Sequence, residues 1–266
     1  MYRGFKLKSF SIDHKSEENR LFELGQNLFA SNKAKCENKL REFMSANNSL
    51  DGNALATSWF PQIDADIFIS HSHSDERLAK VFAGWLHDCF KLDSFIDSGI
   101  WGYAEALLKI IDNAYCLNEN KLTYDYDKRN RTTSHVHMML ATAISMMIDK
   151  TECLFFLNTP KSIMPIESIT KTESPWLYYE IGVSQIIKKK IPNRVMNEDL
   201  KTFSDKEYFE KALQIEYQVD LSHLNELNHD ILNRWGNSVT KKQGSIALDI
   251  LYSLSPEKRY SNSLHG

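Results

Sequence analysis

The chain has 266 residues, with 32 lysines and arginines against 35 aspartates and glutamates, a formal net charge of −3, 42% apolar and 25% charged residues. That is the balance of a globular protein with enough chain for one or two domains and a sizeable core. The near-neutral charge argues against a dedicated nucleic-acid or acidic-lipid binder, which shows a basic excess.

The predicted elements divide near Pro61. Before it, Ser16 to about Ala46 reads as helix: Leu21, Leu24 and Leu28 recur at spacings of three and four, and Cys36, Leu40, Phe43 and Met44 resume the stripe. Asn47 to Asn53 is turn chemistry, and a connector ends at Trp59-Phe60-Pro61. From Asp64 strands and helices alternate. Ile67-Phe68-Ile69-Ser70 is an apolar run suited to a strand covered on both faces. Ser72 to Glu76 offers capping hydroxyls and first-turn acids, and Leu78, Val81, Phe82, Trp85, Leu86, Cys89 and Phe90 form a sustained helical stripe.

Further along, Ser94 to Asp97 reads as a strand, Ser98-Gly99 as a turn, and Tyr103 to Ile111 as a helix. Asn118 to Thr133 reads as a polar insertion, Val136 to Ile148 as an apolar helix, and Cys153 to Leu157 as another buried strand. Ser174-Pro175 starts a helix, a hydroxyl cap with proline at the first position, which runs to Lys188-Lys189-Lys190. After Pro192, Ile215 to Val219 alternates like a strand, while Leu224 to Trp235 and Ser245 to Leu254 look helical. Met138 to Ile148 is too short to span a membrane, and the first residues lack an apolar leader. Cys36, Cys89, Cys116 and Cys153 form no C-x-x-C pair, so a reduced, intracellular setting is expected.

Strand–helix alternation predicts a parallel sheet covered on both faces, with ligands bound beyond the carboxyl ends of the strands. This places Ser70-His71, Asp97-Ser98 and Asn158 around one crevice. In the helix after Pro175, Trp176, Glu180, Val183 and Ile187 share a face, with Tyr179 and Ile186 widening it. An ionised Glu180 within an apolar stripe must either pair with a lysine or arginine, or project into a polar crevice. His71-Ser72-His73 and His135-Val136-His137 lack the spacing and extra ligands for zinc, so no metal is expected. P-loop, dinucleotide-fingerprint and nucleophile-elbow motifs are absent. Tyr124, Tyr126, Lys128, Arg129 and Arg131 read as a solvated loop cluster.

Asp66 to Asp75 (DIFISHSHSD) resembles the opening strand and loop of a Toll/interleukin-1 receptor (TIR) domain. Trp176-Leu177-Tyr178-Tyr179-Glu180 resembles the W-x-x-x-E segment of NAD-cleaving TIR domains, and Phe95 to Ser98 takes the place of the second strand and the loop after it. The likeness spans about Asp64 to Pro192. It departs from the family at Gly102 to Glu105, where a Gly-Asp-Ser-Leu-like start is usual, and in the longer stretches 118–133 and 160–172. It implies a flavodoxin-like TIR fold with a central parallel sheet, a helical N-terminal extension over 1–62, and a TIR-like domain over 63–266. Within that domain the core covers about 64–192 and an α/β extension covers 193–266.

The resemblance also implies a function. Glu180 would be the catalytic residue for cleaving the nicotinamide–ribose bond of NAD, which is substrate and not cofactor. Ser70, His71, Ser72, Asp97 and Ser98 would bind substrate, and Trp101 or Trp176 would stack on a base. It points to prokaryotic TIR proteins, including those of Thoeris antiphage systems. These are cytoplasmic enzymes that self-associate and either deplete NAD or make an ADP-ribose-derived signal for a partner effector. The alternative is a non-catalytic TIR interaction module, in which Glu180 is structural. A response-regulator-like binding domain is disfavoured by the scarcity of acids at the end of the first strand.

Overall fold

The computed structural model describes residues 1–33, 50–159, 164–166, 169–172, 174–195, 217–238 and 243–256. The expected stripe at Cys36, Leu40, Phe43 and Met44 lies outside them. The sheet is built from β1 (Arg3–Leu7), β2 (Ile67–Ser70), β3 (Ser94–Ile96), β4 (Cys153–Leu157) and β8 (Asn225–Leu227), in the order β3-β2-β4-β1-β8. Every neighbouring pair is parallel. A separate antiparallel sheet joins β5 (Met164–Ile166), β6 (Ile169–Thr172) and β7 (Tyr217–Gln218). The protein thus has the expected flavodoxin-like α/β architecture, a parallel sheet flanked by helices.

Alternation along the strands sorts the core into two layers. Phe68, Phe95, Leu154 and Phe156 point to one face, beneath α2 (Gly52–Trp59), α4 (Ser98–Tyr115), α5 (Tyr126–Lys150) and α6 (Pro175–Ile186). Phe5, Ile67, Ile69, Phe155 and Leu157 point to the other, beneath α1 (Lys15–Lys33), α3 (Glu76–Phe90), α7 (His229–Ser238) and α8 (Ser245–Leu254). Every residue of β2 and β4 is buried, which is why both read as unbroken apolar runs.

Several boundaries differ from the sequence reading. Residues 1–62 are not simply a helical extension, because β1 lies inside the sheet, between β4 and β8. The connector before Trp59 is the helix α2, started by Asp51, whose side chain accepts from the amides of Asn53 and Ala54. Ser98-Gly99 opens α4 without a turn. The 118–133 insertion gives its second half to α5, which Asp125 caps by accepting from the Lys128 amide at 2.9 Å. Its basic cluster is partly neutralised: Arg129 Nε donates to Asp112 at 2.8 Å. Leu224 to Trp235 divides into β8 and α7.

The C-terminal elements are welded to the sheet. Arg3 donates to the carbonyl of Ser255 at 2.5 Å, and Arg194 joins Glu152 before β4 to Asp249 of α8. Trp235 of α7 is fully buried, stacks on Phe90 at 4.0 Å, and donates its indole N–H to the Ala247 carbonyl at 2.8 Å. Trp235→Ala removes the stack and leaves a cavity, so a loss of about 4 kcal/mol is expected in urea unfolding.

Candidate functional site

Strand register builds the site. Ile67 pairs with Ser94, Phe68 with Phe95 and Ile69 with Ile96, so Ser70 and Asp97 stand side by side one rung further on. By alternation both follow Phe68 and Phe95 onto the face covered by α6. The chain passes from β2 to β3 on one side and later places β4 on the other, so the carboxyl end of β2 is the topological switch point of the sheet.

Helix α6 brings Glu180 to this point. Ser174 caps it by accepting from the Leu177 amide at 3.3 Å, with Pro175 in the first turn. Tyr179 Oη donates to the Ala141 carbonyl at 3.0 Å, and Ser184 Oγ lies 2.8 Å from His223 Nε2, pinning the helix at two levels. The buried stripe is Leu177, Glu180, Ile181 and Ser184, with Val183 beside it. Trp176 sits half-buried, its ring edge-on to His137 at 5.6 Å, and Ile186 is exposed. The face drawn from sequence through Trp176 and Ile186 is therefore rotated from the one that packs.

Glu180 is 1% exposed and makes no ion pair with a lysine or arginine among the described residues. Ser70 Oγ donates to its Oε2 at 2.6 Å. The Asp97 carboxyl is within hydrogen-bonding reach, and two carboxyls bond only by sharing a proton. Burial, and then repulsion from Asp97, push the Glu180 carboxyl well above the usual carboxylate range; burial pushes Asp97 up too. His71, fully buried, has Nδ1 2.5 Å from Asp97 Oδ1, and burial lowers its pKa to about 4. At neutral pH the cluster is thus a hydroxyl, a neutral imidazole and an acid pair that retains a proton. Neither sequence alternative for Glu180 describes this: its partners are a hydroxyl and a second acid, and its oxygens are closed to solvent.

Ser72 faces a different network. Ser72 Oγ and Thr159 Oγ1 both donate to Asp75 Oδ2, at 2.6 and 2.5 Å, lacing the loop after β2 to the end of β4 across the switch point. Ser98 begins α4, half-buried, with no hydrogen-bond partner for Oγ among the described residues. Asn158 is held through its backbone amide, which donates to the Leu7 carbonyl at 3.0 Å. The side chain of Trp101 lies outside the described residues. Ser70, His71, Asp97 and Glu180 therefore converge, Ser72 and Ser98 flank them, and Trp176 packs on α5.

Sequence reasoning missed Asp75 and Thr159 as the lacing pair. Asp75 reads there as an ordinary first-turn acid, and nothing in a sequence reports a partner 84 residues away. Among the described residues no group of three side chains is arranged to hold a metal ion.

No family model matches the sequence, and no curated protein or solved structure matches it. Among the described residues no helix is long and apolar enough to cross a membrane.

Proposed function

We propose that the protein is a cytoplasmic TIR-like enzyme that cleaves the nicotinamide–ribose bond of NAD. The observation that supports this reading is convergence. The three segments that carry the resemblance are far apart in sequence, yet each sends one acid or hydroxyl, Ser70, Asp97 and Glu180, to a single point at the switch of the sheet. Perturbed acids gathered there are candidates for chemistry.

The reaction asks little of the protein. The C1′–N bond breaks with its electron pair leaving on nicotinamide, whose ring is cationic beforehand and neutral afterwards. Positive charge develops on C1′ and the ring oxygen, and an ionised carboxylate at Glu180 would stabilise it. Water adding to C1′ and losing a proton gives ADP-ribose; an internal adenine nitrogen gives a cyclic product instead. Either product suits a signal read by a partner effector in antiphage defence, and either route lowers NAD.

Because Glu180 is closed to solvent and shares a proton with Asp97, this conformation is a resting one in the proposal. Self-association or a trigger would have to open the cluster. The test is mass spectrometry of NAD incubated with concentrated protein. Nicotinamide release that disappears in Glu180→Gln supports the reading, and release unchanged by that substitution overturns it.

The closed carboxyl also favours a second reading, a non-catalytic interaction module in which the acid pair is structural. Assembly of the protein without any nicotinamide release from NAD would decide for it.

A further inference from the structure

We propose that the acid pair is a proton-held latch on the start of α4: when the proton shared by Asp97 and Glu180 leaves for solvent, residues 98–102 come away from the cluster while α6 stays in place. The latch belongs to the cluster itself and holds whether or not NAD is cleaved there; under the NAD reading it supplies the opening step. Asp97 and Glu180 are 0% and 1% exposed, and neither meets a lysine or arginine among the described residues. β2 supplies Ser70, whose hydroxyl donates to Glu180 at 2.6 Å, and the loop after it supplies His71, whose Nδ1 lies 2.5 Å from Asp97 Oδ1. Asp75 and Glu76, where α3 begins, act electrostatically on His71. α5 meets α6 through Ala141, Ser145 and His137, the last against Trp176. The first residues of α4, Ser98-Gly99-Ile100-Trp101-Gly102, carry no charge, and α6 brings none besides Glu180. One hydroxyl and one neutral imidazole do not compensate two buried carboxylates in contact, so ionisation of both forces them apart.

Anchorage sets which side yields. α6 is capped by Ser174, tied by Tyr179 to the Ala141 carbonyl and by Ser184 to His223. Asp97 instead follows a strand of three residues at the edge of the sheet, bonded among the described residues to β2 alone. The helix it leads into has two glycines in its first five residues, Gly99 and Gly102, and glycine weakens a helix. The Asp97 side chain makes no cap bond to that turn, and Ser98 Oγ has no partner among the described residues. The start of α4 is therefore the cheaper part to move.

Hydrogen exchange of the full chain from about pH 6.5 to about 9 tests the latch. Helical amides bond to the carbonyl four residues back, so those of Gly102 to Glu105 report on the carbonyls of residues 98–101. After correction for the intrinsic exchange rate at each pH, these amides should lose protection by up to about tenfold per pH unit, the signature of one released proton. The amides of Tyr179 to Ser184 in α6 should stay as slow as those of β4. Glu180→Gln keeps a donor and an acceptor in the site with one acid fewer, and should abolish the extra loss at 102–105; Asp97→Asn should do the same. The proposal is overturned by protection at 102–105 that does not change with pH, by an equal loss in α6, or by a loss that persists in both variants. If a variant fails to fold, the comparison of α4 with α6 in the wild type still decides. Nicotinamide release plays no part in these readings, so failure of the latch and failure of NAD cleavage are seen separately.

Discussion

Replacing Gly84 with alanine should cost about 3 kcal/mol and lower the melting temperature by about 10 °C. Gly84 of α3 and Gly25 of α1 sit where the two helices cross. A Cβ on Gly84 would stand 2.0 Å from the Leu21 carbonyl oxygen, and one on Gly25 would stand 2.0 Å from that of Lys80. Both obstacles are backbone, so no side chain can swing aside and the helices must separate. Separation would loosen Leu21, Phe82 and Leu86, which are buried on that face of the sheet, and cut into the core contacts beneath them. Gly25→Ala should behave alike. Gly102→Ala is the control: the residue lies in α4 with nothing within 4 Å of its would-be Cβ, so alanine should be neutral or stabilising by up to about 1 kcal/mol. Thermal unfolding followed by circular dichroism reads all three.

The second large effect is a fall in stability as pH rises above neutrality. Burial raises both Asp97 and Glu180 in the folded protein, and repulsion from Asp97 raises Glu180 further. Between the ordinary carboxyl range and their raised values the folded state therefore holds a proton that the unfolded chain has released. Stability must then decrease with pH through that window, by about 1.4 kcal/mol per unit for each proton held. His71 and His223 act oppositely. Burial lowers each to about 4, so the unfolded chain binds their protons first, and stability rises with pH from about 4 to 6.5. Above that the histidines contribute no slope. The Met1 amine, lowered by burial, opposes the decline up to about 8, and the thiols of Cys89, Cys116 and Cys153, raised by burial, add to it near 9. Both act equally in wild type and variant, so the difference between the two proteins reads the acid pair. Urea unfolding from pH 6.5 to 9 should show the decline. Glu180→Gln should flatten it, because an amide can accept from Ser70 and donate to an ionised Asp97. An equal slope in the variant would place the retained proton elsewhere.

What could be read from sequence followed from how completely each element is covered. β2 and β4 are buried on both faces and read as continuous apolar runs. α6 carried its hydroxyl cap and proline in plain view, and α8 (Ser245–Leu254) spans the expected residues. β1 escaped notice because in Arg3-Gly4-Phe5-Lys6-Leu7 the buried positions alternate with half-buried ones, and one buried position is an arginine whose charge is met by the carbonyls of Tyr252 and Ser255 and by the rings of Phe5 and Tyr252. Five residues hold too few periods for alternation to stand out. Ser70, His71, Asp97 and Glu180 could each be named in advance, since strand-end and mid-stripe polar residues are conspicuous. That Asp97 and Glu180 form one acid pair could not, because it depends on the register of β2 against β3 and on the rotation of α6. Both are set by tertiary packing.

The place of β1 bears on how the molecule is made. It is synthesised long before its neighbours: Phe5 is matched with Phe155 on one side and with Asn225 on the other. On a ribosome the segment must stay unpaired while most of the nascent polypeptide emerges, and loop-closure entropy weighs against both pairings. The β2-α3-β3 unit, two parallel neighbours joined by one helix, can consolidate early, whereas the middle of the sheet closes late. An exposed Phe-Lys-Leu edge waiting that long is a natural target for a chaperone such as a nascent-chain holdase, and slow, assistance-dependent refolding from denaturant is the behaviour this topology implies.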